Sequence, residues 1–197
     1  MTLPIFQHAH FIGIGGIQVS AMAKLLLSAG VSVSGSDLVR SEMTDELVRK
    51  GVSVSIGHAA ENVPPETDLV VYSSAVQEMH SERAEARRRG IPQMNSHVFL
   101  GEWVEGKKVF LVTGTHGKST TTALLGLMLH EAGKDPNVVV GSRVPKFPEG
   151  NILVGKSDLF VIEGDEFDKH FLAFSPHGVI LNNLELDHVD HYPDLES

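Results

Sequence analysis

The chain has 197 residues, 42% of them hydrophobic and 21% charged, with a formal net charge of −9; it is long enough to bury a core and ordinary enough in composition to be globular. The acidic balance argues against a general nucleic-acid binder, which needs a basic face, and the lack of cysteine excludes disulfides, thiolate metal sites and a thiol nucleophile. No apolar run approaches the roughly 20 residues of a membrane span, and the start lacks the basic and apolar regions of a signal peptide, so a cytoplasmic location without membrane insertion is expected.

Short β-rich runs alternate with helical patterns along the chain, the mark of parallel α/β architecture. Residues 9–14 read as a strand and 17–29 as a helix, with Ile17, Ala21, Leu25 and Ala29 on one face and Gly30 as its stop. A strand at 31–34, a short helix at 44–50 closed by Gly51, and strands at 52–56 and 68–73 follow. The helix at 81–89 is strongly charged and is stopped by Gly90; another helix is expected over 96–104. After Gly106-Lys107-Lys108 the pattern restarts, with a strand at 109–113, a helix at 119–132, and strands at 138–140, 158–163 and 178–181. The expected organisation is a Rossmann-like parallel-sheet domain over 1–106 and, over 107–197, the first part of a P-loop α/β domain. That second domain reads as unfinished, because the roughly 90 residues available rarely close a nucleotide-binding sheet.

Two glycine loops carry the chemical signal. Gly13-Ile14-Gly15-Gly16 lies where a strand turns into a helix, a place where backbone can approach a phosphate and a helix N-terminus offers free N–H groups. Asp37 ends the next strand, where an acidic side chain can bond a ribose hydroxyl. Gln18 occupies the place of the third glycine of the dinucleotide fingerprint. A nicotinamide or flavin site, a site for another diphosphate ligand, and a plain structural turn all fit this loop. The second loop is more specific. Thr113-Gly114-Thr115-His116-Gly117-Lys118-Ser119-Thr120 follows an apolar strand and opens a helix. Amides from Gly114 to Lys118 can wrap phosphate oxygens, Lys118 can reach the terminal phosphates of ATP, and the Ser119 hydroxyl can ligate Mg²⁺. The general Walker pattern has glycine at position 112, where this chain has Val112.

Glu163-Gly164-Asp165-Glu166 follows a strand, so its carboxylates fall at the strand end that faces the ligand crevice in such sheets; hard oxygens there suit Mg²⁺. After the next strand, the segment from Asn182 to His191 is dense in ionisable groups. His8, His10, His58 and His80 have no such context and read as structural or surface residues.

With these motifs in place, the chain resembles the Mur ligases, the ATP-dependent amino-acid ligases of peptidoglycan synthesis. Gly-Thr-His-Gly-Lys-Ser-Thr-Thr at 114–121 is close to that family's own phosphate loop, and Glu163-Gly164-Asp165-Glu166 is similar to its Glu-Ala-Asp-Glu motif with glycine in place of alanine. Asn183 to Asp190 is similar to its Asn-x-x-x-Asp-His-x-Asp segment. The start, His10-Phe11-Ile12-Gly13-Ile14-Gly15-Gly16, with Ser34-Gly35-Ser36-Asp37 and Ser73-Ser74-Ala75-Val76, looks like the UDP-sugar domain of the branch that joins L-alanine to UDP-N-acetylmuramate. The stretch from Asn182 to His188, with Pro193-Asp194-Leu195, looks more like the recycling branch, which adds the L-Ala-γ-D-Glu-meso-diaminopimelate tripeptide.

The resemblance implies the front part of a longer enzyme, inactive alone, that forms an acyl phosphate from the muramate carboxylate and ATP. It implies catalytic roles for Lys118, Glu163 and His188, and an ATP site from Gly114, Thr115, His116, Gly117, Lys118, Ser119 and Thr120. Ser119 and Glu163 would hold Mg²⁺ and His188 a second metal. Gly13, Gly15, Gly16 and Asp37 would hold the UDP part of the substrate, with Ser73 and Ser74 lining the same crevice. A nicotinamide-dependent oxidoreductase and a non-catalytic nucleotide-binding module are the readings of other classes. Nothing in the sequence fixes the oligomeric state.

Overall fold

The computed structural model describes residues 5–165 and 171–185. It divides into two compact units, Met1–Leu100 and Gly101–Ser197. In the first unit, strands β1 (His8–Ile12), β2 (Ser32–Asp37), β3 (Ser53–Ile56), β4 (Leu69–Tyr72) and β5 (Gln93–Asn95) form one sheet in the order β3-β2-β1-β4-β5. All four pairings are parallel, the doubly wound pattern expected. Helices α1 (Ile17–Ser28), α2 (Glu42–Arg49) and α3 (Ser81–Arg89) connect the strands, and α4 (Ser96–Trp103) spans the division between the units.

Burial explains the order. β1 is central, and its Ala9, Phe11 and Ile12 are fully buried, as are Leu69, Val70 and Val71 of β4; strands covered on both faces read as unbroken apolar runs. Ile12, Val63, Val70 and Ala86 form one cluster against α3, and the ring of Phe99 packs edge-on to Phe11 with centroids 6.1 Å apart.

A polar seam crosses this core. His10 and Glu82 are fully buried. Glu82 Oε2 accepts from Ser36 Oγ at 2.6 Å and pairs with His10 Nε2 at 2.9 Å, while Asn62 Nδ2 donates to Oε1 at 3.1 Å and His58 Nδ1 lies 3.1 Å from the same oxygen. His10 Nδ1 in turn shares a hydrogen bond with Ser34 Oγ at 2.8 Å. The network joins β1, β2, α3 and the turn at Ala60–Asn62. It shows His10 to be a core residue, bonded for the reason any buried polar group is.

In the second unit, β6 (Lys108–Thr113), β7 (Asn137–Val139), β8 (Ile152–Leu153), β9 (Leu159–Glu163) and β10 (Gly178–Leu181) form a sheet in the order β10-β6-β9-β7-β8, with α5 (Lys118–Glu131) after β6. The pairings are parallel except β7 with β8. Val112, Val138, Val140, Val161 and Phe147 make the core beneath α5. Among the described residues, no helix is long and apolar enough to cross a membrane.

The seam sets a pH dependence. Burial alone would push the Glu82 carboxyl up, but hydrogen bonds from His10, Ser36 and Asn62 outweigh it and hold it down to about 2, from an ordinary 4.5. A depressed carboxyl stabilises the fold above its unfolded value and loses that contribution as pH falls through its folded value. The expected contribution is on the order of 3 kcal/mol. In urea unfolding in metal-free buffer, the stability gap between the parent chain and Glu82→Gln should be open above pH 4.5 and close as pH approaches 2. A gap that stays constant across this window would contradict the assignment.

Candidate functional site

Each unit places one glycine loop between a parallel strand and a helix N-terminus, where the first N–H groups of the helix have no partner in its own ladder. The caps differ from helix to helix in a consistent way. α2 begins at Ser41, whose hydroxyl accepts from Thr44 N in a capping box, with Glu42 and Asp45 in the first turn. α3 is capped by His80 and carries Glu82 in its first turn. α1 and α5 begin at Gly16 and Gly117, with no side-chain cap and no acidic residue in the first turn. The two helices behind the glycine loops therefore keep their positive ends open to an anion.

In the first unit, Gly13, Gly15, Gly16, Asp37 and Ser73 line one cleft of about 700 Å³, together with His58, His80 and the apolar side chains of Leu38, Val39 and Met79. Asp37, at the end of β2, accepts from Gly15 N at 2.8 Å through Oδ2 and from Val39 N at 3.3 Å through Oδ1. A Cβ on residue 15 would lie 2.8 Å from Asp37 Oδ2, so a side chain here would push the carboxylate away from the Gly15 amide. Ser74 is placed differently from Ser73: its hydroxyl accepts from Asn95 Nδ2 at 3.1 Å. His58 and His80, which the sequence offered no reason to single out, are part of the cleft wall. The one signal available was position: His58 follows β3 directly after Gly57, at the strand end where ligands bind.

In the second unit, the loop leaves β6 at Gly114 (φ 126°) and enters α5 at Gly117 (φ 79°), both in the region that favours glycine. Lys118 begins the helix; its ammonium folds back over the loop, donating to Gly114 O at 2.9 Å and Thr115 O at 3.3 Å. Ser119 Oγ donates to Glu163 Oε1 at 2.8 Å, and Gly141 N donates to Glu163 Oε2 at 2.6 Å. Glu163 ends β9, beside Val112 of β6. Two oxygens this close match neighbouring positions around Mg²⁺, which at its usual bond length places adjacent ligands about 2.9 Å apart. The hydroxyl and carboxylate thus fit a hard cation as they stand.

The segment after β10 braces the loop from the other side. Asn183 Oδ1 accepts from His116 N at 2.9 Å, and the amide groups of Asn182 and Asn183 donate to His116 O at 3.1 and 3.2 Å. Thr115 Oγ1 accepts from Glu185 N at 3.1 Å. The His116 amide is therefore engaged within the protein, whereas Lys118, Ser119 and Thr120 form the open first turn of α5. His116 and Thr120 are exposed. His188 lies outside the described residues, as do Glu166, Asp187, Asp190 and His191.

Comparison with known proteins accounts for this pairing of loops. The model of the Mur ligase family, catalytic domain, matches residues 8–108, and that of the Mur ligase middle domain matches residues 112–197. The chain belongs to the Mur ligase family. It is 44% identical over its whole length to UDP-N-acetylmuramate–L-alanine ligase of Chlorobium phaeobacteroides and 45% identical over 97% of its length to that of Solibacter usitatus. It spans 42% and 40% of those two proteins. The crystal structure of UDP-N-acetylmuramate-alanine ligase from Thermotoga maritima superposes with a TM-score of 0.89 at 34% identity, covering 95% of this chain and 44% of that one. The UDP-N-acetylmuramate:L-alanyl-γ-D-glutamyl-meso-diaminopimelate ligase of Neisseria meningitides gives 0.87 at 29% identity, covering 98% and 65%.

The Mur ligase loop at 114–118 owes its shape to the asparagine brace. Asn183→Ala removes the acceptor of the His116 amide. Hydrogen exchange at that amide should accelerate about fivefold, the equivalent of one lost hydrogen bond of roughly 1 kcal/mol. Unchanged protection by amide-resolved exchange would show that the brace does not hold the loop.

Proposed function

We propose that this chain carries the UDP-N-acetylmuramate-binding part (1–106) and the start of the ATP-binding part (107–197) of a cytoplasmic ATP-dependent ligase. The reaction joins L-alanine to the lactyl carboxylate of UDP-N-acetylmuramate. The observation that carries this reading is the open N-terminus of α5, with Lys118 over the loop and Ser119 bonded to Glu163, in a chain so similar to L-alanine ligases.

The chemistry is the meeting of two anions, a carboxylate and the γ-phosphate of ATP, to give an acyl phosphate that the amine then attacks. Repulsion is the barrier, so fixed positive charge and N–H groups aimed at the phosphoryl oxygens lower it. The amides of Lys118, Ser119 and Thr120 hold the phosphates, and the Lys118 ammonium exchanges the carbonyls of Gly114 and Thr115 for phosphate oxygens. Ser119 and Glu163 would hold Mg²⁺, which neutralises phosphate charge when bound. His188 is assigned to a second metal as a neutral imidazole.

In the first unit, the diphosphate lies over Gly13, Gly15 and Gly16 at the uncapped end of α1. Asp37 then gives up the Gly15 amide to phosphate and turns to the ribose. The exposed Leu38, Val39 and Met79 offer apolar surface to the base. Ser73 borders the same cleft; Ser74, bonded to Asn95, supports its wall.

A second reading is the recycling ligase, whose acceptor is the tripeptide; the match to the Neisseria structure is consistent with it. In a full-length protein with this sequence, turnover with L-alanine against the tripeptide decides between them. There, Lys118→Ala should reduce ligation by at least about 10³-fold and change affinity for UDP-N-acetylmuramate by less than about twofold. Near-normal turnover would remove Lys118 from the mechanism. Titration of the present chain should give saturable binding of UDP-N-acetylmuramate; binding of NADH instead would point to an oxidoreductase.

A further inference from the structure

One wall of the first unit's cleft holds a donor set that nucleotide binding does not use. His58 follows β3, His80 caps α3, and Glu82 lies in the first turn of α3. One ligand atom from each falls within 4.8 Å of the other two. The two imidazoles meet edge to face with centroids 4.4 Å apart, and both border the cleft.

Three features distinguish this cluster from an incidental one. His80 Nε2 is buried and makes no hydrogen bond among the described residues, a cost that native structures rarely leave unexplained. Its other nitrogen takes only a long bond, accepting from Glu82 N at 3.3 Å. Moving the ring proton to Nδ1 would give up that weak cap and present the Nε2 lone pair. The carboxylate is held from behind: His10 and Ser36 fix Glu82 Oε2, and Asn62 supports Oε1. Outer partners of this kind orient a ligating carboxylate.

We propose that His58, His80 and Glu82 bind a divalent transition-metal ion, zinc by donor chemistry, in the wall of this cleft, with a fourth position open to an anionic oxygen. Two imidazoles and one carboxylate are the donors of an open tetrahedral zinc site, and they discriminate against Mg²⁺, which takes oxygens in octahedral array. Donors around zinc stand about 3.4 Å apart at its usual bond lengths, so the two half-buried rings close by rotation onto the fixed carboxylate. His58 exchanges its contact with Glu82 for the ion. The site is separate in residues and in metal preference from the Ser119–Glu163 pair. Because it borders the glycine loop, a phosphate oxygen bound over Gly13 to Gly16 is the natural fourth ligand.

The test uses the untagged chain, with His188→Ala and His191→Ala as a background that removes the other histidine-rich segment. Zinc titration by calorimetry should give one ion per chain, and Co²⁺ in its place should give the intense visible absorption of tetrahedral coordination. His80→Asn keeps an oxygen to cap α3 and removes the ring nitrogen; His58→Gln removes the second. Each should weaken zinc binding at least about tenfold and abolish the tetrahedral Co²⁺ spectrum, with the circular dichroism unchanged. Inorganic pyrophosphate should shift the Co²⁺ spectrum of the unsubstituted site. Zinc affinity unaltered in both variants, or a weak octahedral Co²⁺ spectrum, would overturn the site. A spectrum indifferent to pyrophosphate would overturn the open fourth position.

Discussion

The Glu163 carboxylate is the fixed point of the second unit. Its two oxygens are shared between the Ser119 hydroxyl on α5 and the Gly141 amide beyond β7, and its backbone continues β9 beside β6. Three elements that come from distant parts of the chain thus converge on one side chain. The Glu163 carboxylate reaches α5 through the Ser119 hydroxyl rather than through the first N–H groups of the helix, which stay uncapped. A hydroxyl and a carboxylate oxygen 2.8 Å apart are the donor types that a hard cation takes.

The first unit uses the same device with Asp37. Its carboxylate stands against the Gly15 amide, close to where an anionic ligand would stand. Elsewhere the fold closes its helix ends with its own side chains, Ser41 on α2 and His80 on α3. A chain of net charge −9 does not attract anions at large. Among the described helices, the uncapped starts of α1 and α5, with Lys118 at the latter, are where backbone N–H groups and a lysine create local positive potential.

The pattern of strands, glycine loops and helix starts was legible in the sequence because each has a local signature. The apolar run of β4, the Gly-Lys-Ser at the start of α5 and the acidic end of β9 could be placed without knowing the fold. β5 and β8 could not, since three and two residues are too short for a period to declare itself and pair only because neighbours present an edge. The bond from Gly141 to Glu163 was equally hidden, as it depends on sheet order between strands distant in sequence. His10 and Glu82 looked unremarkable for the same reason: 72 residues separate them, and only the parallel return of the chain brings them together. Ser74 was misleading, because a Ser-Ser pair after a strand puts its two side chains in different surroundings, and only Ser73 meets the cleft.

The absent Walker glycine has a structural reason of its own. Val112 is fully buried in the core beneath α5 and lies opposite Glu163 in the β6–β9 ladder. The chain is still strand at that point, so no left-handed residue is required there, and a glycine would leave a cavity where a branched side chain is packed. The turn comes two residues later, at Gly114, where the backbone does leave ordinary φ. A loop that starts later is shorter and reaches less far around a phosphate by itself. The asparagines after β10 compensate: by holding both the amide and the carbonyl of His116, they fix the middle of the loop from outside. Rigidity that a longer loop would obtain from its own glycine turn is supplied here by a neighbouring strand end. That dependence explains why Asn182 and Asn183 belong with the phosphate loop physically, though 66 residues of chain separate them from it.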